Sequence, residues 1–291
     1  MTRHFSAEMA TFFGEVLSVY SRAVEEDEDD LEDENEEDKR IRSEIEQKRS
    51  VHVEWCPEVQ NSLDVTSEKT LPFSQFLIAV GPNAAGFLST YVLSSGKWDS
   101  IGLVSLWNER SESQQYGVHL QQEAGCVFYK QKECSSVLIC QCTLYIAEDQ
   151  LFPWAEKVFA CIQRRGLTVT VLSDAPLSEF KSPNSLYSTT PFLRALRTSA
   201  YKTQVSCQLL EQPNIATGLA AAVLSYCQVQ KIPAVLYQCY SDVIVPNSIT
   251  METYKPALSS LSEIIKLDSC PNADVLKRLL KASEIQSNMY T

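Results

Sequence analysis

Apolar positions recur along this chain with two alternating periods. Phe76 to Gly81 (FLIAVG) is a short apolar run closed by glycine, the pattern of a strand buried on both faces. Phe87, Leu88, Tyr91 and Val92 then fall at helical spacing, predicting a helix to about Leu93 with Asn83 placed to cap it. Ile101–Trp107, Cys126–Tyr129 and Val137–Ile146 read as strands rich in Val, Ile, Cys and aromatics. Asp149 opens a helix whose stripe includes Leu151, Phe152, Ala155, Val158 and Phe159, with Arg164, Arg165 and Gly166 as its end. Leu167–Leu172 is a further strand, and the Ser/Pro-rich stretch from Ser173 to Ser188 a surface loop. Pro191 begins a short helix, PFLRALRT. Thr217–Gln230 is helical and apolar nearly all round, which predicts deep packing, with Asn214 near its cap. The strand Ala234–Tyr240 and helices near Met251–Leu267 and Ala273–Gln286 finish the chain.

Strands alternating with helices predict an α/β protein, a three-layer α/β/α sandwich with a mostly parallel central sheet. The expected domain spans residues 51–282, preceded by a separate region 1–50 and followed by a flexible tail, 283–291. Within the first region, Glu25 to Asp38 carries 12 acidic residues in 14, a density that repels itself and predicts disorder. Lys39–Arg49 is mixed in charge and reads as a solvated helix or linker.

Charge then narrows the function. The net charge is −12, but outside the acidic run 25 acidic residues face 25 Lys and Arg, so the body is neutral. Without a basic excess, a nucleic-acid binder is disfavoured. The start, MTRHFSAEMA, has no apolar run of the secretory kind, and no stretch reaches the ~18 apolar residues of a spanning helix. Ten cysteines with no CxxC pair and no secretory signal read as reduced thiols of the cytosol or nucleus, and the cytoplasm is the expected location. Cys140 and Cys142 share a strand face and could share a metal, but His4, His52 and His119 form no ligand cluster, so the thiols read as small apolar residues.

Chemistry is sparse. The turn Gly81-Pro-Asn-Ala-Ala-Gly86 has the glycine spacing of a phosphate loop at the carboxyl end of a strand, where open α/β sheets bind ligands. Phe87 and Leu88 stand where Lys and Ser/Thr would follow, so Gly81 reads as the turn and Gly86 as close packing of helix on sheet. A small-molecule enzyme using that crevice is the rival reading. Ser225 lacks the flanking glycines of a nucleophile elbow, and His119 is flanked by polar residues. Glu148 and Asp149 are placed to complement and cap a helix. No cofactor or metal is called for, and no catalytic set assembles.

The terminus differs. Met289-Tyr290-Thr291 places a hydrophobic residue and a Tyr before the free carboxylate, a group that a Lys or backbone amides in a pocket can capture. The stretch Ser283–Asn288 is polar enough to act as a tether.

Longer blocks carry a resemblance: TFFGEV (Thr11–Val16), LWNE (Leu106–Glu109), CQC and AEDQ (within Cys140–Gln150) and FLRAL (Phe192–Leu196). They continue in LLEQPNI (Leu209–Ile215), AAVLSYCQV (Ala221–Val229), KIPAVLY (Lys231–Tyr237) and the terminal Glu284–Thr291. Through these the chain resembles the proteasome assembly chaperones. TFFGEV lies close to that family's usual start, which marks Met9 as an alternative to Met1. The resemblance implies a non-enzymatic α/β/α protein that pairs with a structural relative, proteasome assembly chaperone 2. It implies that the heterodimer binds proteasome α-subunits, promotes α-ring formation of the 20S core and blocks α-ring dimers. It further implies insertion of Met289, Tyr290 and Thr291 into a pocket between α-subunits, where a Lys receives the carboxylate. It implies a cytoplasmic location, with association to the endoplasmic reticulum within the family's range.

Overall fold

A computed structural model describes residues 35–65, 70–110, 125–133, 136–181, 190–243, 245–262 and 264–288. The chain divides into two compact units, Met1–Lys48 and Arg49–Thr291. In the first, α1 (Glu36–Lys48) buries no residue, as its mixed-charge sequence predicts. Asn35 caps it, its Oδ1 accepting from the amides of Glu37 and Asp38 at 2.8 Å. The last three residues of the acidic run therefore form the first turn of a helix, where acidic side chains complement the dipole, rather than continuing the expected disorder. The rest of the run lies outside the described residues.

The second unit is built on one eight-stranded sheet. In chain order its strands are β1 (His52–Trp55), β2 (Gln75–Val80), β3 (Trp98–Ser105), β4 (Cys126–Gln131), β5 (Val137–Cys142), β6 (Thr168–Pro176), β7 (Phe192–Arg197) and β8 (Ala234–Ser241). They lie in the order β1-β3-β4-β5-β2-β6-β8-β7. The central ladders β5–β2, β2–β6 and β6–β8 are parallel, while β1–β3, β3–β4, β4–β5 and β8–β7 are antiparallel. The expected α/β sandwich stands, but its sheet is mixed rather than mostly parallel: among the described residues three central ladders are parallel and four are antiparallel. The connection from β4 to β5 is too short for a crossover, β3 and β1 extend the sheet antiparallel beyond β4, and β7 adds antiparallel to β8.

Alternation along β2 divides the core. Phe76 and Ile78 join the side chains of α2 (Pro57–Val65), α4 (Leu151–Ala160) and α5 (Gly218–Val229). Leu77 and Ala79 meet α3 (Pro82–Tyr91), α6 (Ser248–Glu252), the 3-10 turn Lys255–Leu261 and α7 (Ala273–Asn288). Opposite faces of the central strands β2, β5, β6 and β8 thus feed opposite helical layers. All eight residues of β8 are buried, which explains its largely apolar run, interrupted by Gln238 and ended by Ser241.

Several expectations shift. The segment 192–197 is strand β7, not a helix. Its alternate residues Leu193 and Ala195 enter one layer while Phe192 and Leu196 pack on the other, and its backbone pairs the open edge of β8. Gly81, with φ +101°, is the N-cap of α3, so Asn83 lies inside the first turn instead of capping it. Helix α4 ends at Ala160 and not at Gly166. β6 runs on to Pro176, into the stretch expected as loop. The helix expected over Met251–Leu267 is a short α6 followed by a 3-10 turn. α5 is buried on one side only, since Val229 is 76% exposed.

Candidate functional site: the strand-end crevice and the C-terminal helix

The crevice that sequence reasoning singled out opens where β2 turns into α3. In α/β sheets this helix N-terminus offers unpaired amides to an anion. Here the anion is the chain's own. Asp174, near the end of β6, accepts from the amides of Asn83 at 2.7 Å and Ala84 at 3.4 Å through Oδ2. Its Oδ1 accepts from the Tyr254 hydroxyl at 2.6 Å. Burial pushes the Asp174 carboxyl up to about 6 against the pull of these three donors, and it raises the Tyr254 phenol as well.

Gly81 is required by that arrangement. A Cβ there would stand 2.6 Å from Asp174 Oδ2, and its φ lies in the region L side chains rarely adopt. The Asn83 side chain closes the rest, accepting from the Asn247 amide at 2.8 Å and donating to the Val243 carbonyl at 3.5 Å. Asn83 and Tyr254 are almost wholly buried. The crevice is filled, and the small-molecule reading centred on Gly81–Gly86 is overturned there. Gly86 also differs from expectation: its open side faces Met251 of α6 and Leu279 of α7, not the sheet. Asp174 and Tyr254 were missed by sequence reasoning. The available signal was a lone Asp closing the apolar run LTVTVLSD.

The remaining candidates take structural places. Cys126 and Cys142 are register partners on β4 and β5 and, with Cys140, are buried. Burial raises the Cys126 and Cys140 thiols well above their usual range, so neither is a thiolate near neutrality. Ser225 lies within α5. Asp149 does not cap α4. It receives a bidentate hydrogen bond from Arg49 at 2.8 Å, and the same guanidinium binds Glu109. Arg49 holds both carboxyls below their usual range. Asn214 is no cap either: its Oδ1 accepts from the Lys181 amide at 2.6 Å. His119 lies outside the described residues. A recess of about 400 Å³ lies at the opposite end of the sheet, lined by Phe159, Ile162, Arg164 and Arg165 among others. Arg164 there is already engaged with Gln230 and the Tyr226 hydroxyl, each at 2.9 Å.

The other candidate site is the C-terminal segment. The Asn272 amide donates to the Thr90 carbonyl and the Asp268 amide to that of Tyr91, both at 3.0 Å, which starts α7 beside the end of α3. Asn272 Oδ1 accepts from the amides of Asp274 and Val275, and Leu276 and Leu279 pack onto the core. Residues 283–288, expected as a flexible tether, continue this helix, so α7 runs to Asn288. Met289, Tyr290 and Thr291 lie outside the described residues.

With this geometry in view, comparison with known proteins is informative. The family model described as "Proteasome assembly chaperone 4" matches residues 9–291. "Proteasome assembly chaperone 1" of Danio rerio is 52% identical over 287 residues, covering 97% of this chain and all of that protein. Its namesake in Homo sapiens is 44% identical over 287 residues, covering 97% and 99%. Among solved structures, Pyrococcus furiosus PbaB, "an archaeal proteasome activator", shares the fold with a TM-score of 0.51 at 12% identity. That match covers 84% of this chain and all of PbaB. The chain belongs to the proteasome assembly chaperone family, a family of non-enzymatic factors that act in building the proteasome.

Proposed function

We propose that this chain pairs with proteasome assembly chaperone 2, binds proteasome α-subunits, promotes α-ring formation and prevents α-ring dimerisation. Its terminal Met289, Tyr290 and Thr291 insert into a pocket between adjacent α-subunits. The observation that carries the reading is α7, docked along α3 and leading straight into those three residues. A free carboxylate exists once per chain and fits a Lys or a nest of amides, while the Tyr ring and Met side chain supply apolar area. Such a tail is weak alone. Contacts made by the folded body raise its effective concentration at the pocket.

Co-purification of the tagged chain from cells tests this. Deleting residues 289–291 is expected to lower α-subunit recovery about tenfold or more while chaperone 2 remains bound. Unchanged α-subunit recovery would remove the tail from the mechanism.

A further inference from the structure

Exposed large apolar side chains are unevenly placed on the second unit. Tyr145 follows β5, Phe152 opens α4, Ile215 precedes α5, and Val245 and Ile249 follow β8. All five sit at the end of the sandwich where the parallel strands terminate. Ile215 is 73% and Ile249 65% exposed. Leu103 on β3, Leu209 beside β7 and Leu280 on α7 lie between the ends, and at the opposite end the described residues show only Val229. That end instead carries Arg164, Arg165, Arg197, Lys202 and Lys231, on segments 161–167, 197–203 and 230–233 that contain no acidic residue, with Asp99 and Glu133 farther along it at the start of β3 and the end of β4. Single exposed apolar residues are ordinary, but their collection at one end is not.

The same end is where α7 leaves. α7 runs antiparallel to α3, since Asn272 meets Thr90 and Leu279 meets Gly86. From Leu279 to Asn288 the helix rises about 13 Å, whereas Gly86 is only about 6 Å from the start of α3. α7 therefore outruns α3 by about 7 Å. Its sequence agrees, because between Leu280 and the helix end at Asn288 the only large apolar residue is Ile285. Val245 and Ile249 lie beside this exit: Asn83 ties residues 243 and 247 over the start of α3, and Met251 shares Gly86 with Leu279.

We infer that the strand-terminal end of the sandwich is the docking face for proteasome α-subunits, with Val245 and Ile249 as body contacts beside an α-helical arm that carries the terminal tripeptide. This rests on the reading that α-subunits are the partner. Its occupant is the ring surface next to the tail's pocket, because a tail leaving from one end and seated in a pocket brings that end, and not the basic one, against the ring. The apolar pair then supplies the buried contact that an interface centre requires.

The test compares Val245→Asp/Ile249→Asp with Val229→Asp and with deletion of 289–291, all in the full tagged chain recovered from cells. The double variant is expected to lower α-subunit recovery at least about fivefold, with chaperone 2 recovery unchanged, while Val229→Asp changes neither. The milder Val245→Ala/Ile249→Ala, expected to act in the same direction, separates lost contact from misfolding. Unchanged α-subunit recovery in both double variants overturns the inference. So does loss of chaperone 2 instead, which would make this end the heterodimer interface. If the deletion has no effect while the double variants do, the tail reading falls and the docking face stands. If wild type recovers no α-subunits, both fall.

Discussion

Asp174 shows how one side chain settles the use of a site. A carboxylate placed on the first amides of α3 satisfies donors that would otherwise attract a ligand, and Gly81 gives it room. Because burial holds its folded pKa near 6, above the 3.8 of an ordinary Asp, the fold favours the protonated form. Stability from this group is full below about pH 4 and lost as pH rises through 6, by about 3 kcal/mol. Urea unfolding of wild type and Asp174→Asn between pH 4.5 and 7.5 measures it. Wild type should lose ground to the variant as pH rises, and a pH-independent gap would mean the carboxyl titrates normally. Arg49 acts in the opposite sense. Its partners Asp149 and Glu109 are held low, so their contribution is present above about pH 4 and lost on acidification. None of these pairings was legible in the sequence, because Arg49 and Asp149 are a hundred residues apart and only the folded chain brings them together.

At the scale of elements, the apolar runs of β2, β5, β6 and β8, the stripes of α3 and α4 and the presence of helices at α5 and α7 were readable, because local periodicity and composition carry them. β7 was not. Its sequence FLRALR suits a helix by propensity, but the edge of β8 presents unpaired backbone groups that only a strand can satisfy. The C-terminal arm was half readable. A polar stretch looks like a tether by composition, yet it lies directly on a helix already nucleated by Asn272 and docked through Leu276 and Leu279, and propagation costs less than nucleation. Leu279→Ala is expected to destabilise this docking by about 1–2 kcal/mol, below the cost at a fully buried site. Hydrogen exchange would report it as faster exchange across α7 with the strands still protected. Uniformly faster exchange would show that α7 is coupled to the whole fold.

The second unit differs from end to end, with exposed apolar side chains and the outgoing α7 at the strand-terminal end and a group of cations at the other. Arg165→Glu with Lys231→Glu is expected to leave α-subunit recovery unchanged and stability within about 0.5 kcal/mol, as measured by co-purification and thermal unfolding. Lost recovery would place a ring contact at the basic end. By itself the sequence determined the class of fold, the neutral body beside an acidic run, the family and the terminal tripeptide, since these depend on composition, local periodicity and contiguous motifs. Only the tertiary structure decided that the crevice is filled from within, that Gly86 receives two helices, and which end carries the exposed apolar residues. Those depend on contacts between residues far apart in the chain, such as Asp174 with Asn83 and Leu279 with Gly86, and no local pattern encodes which distant partner will arrive.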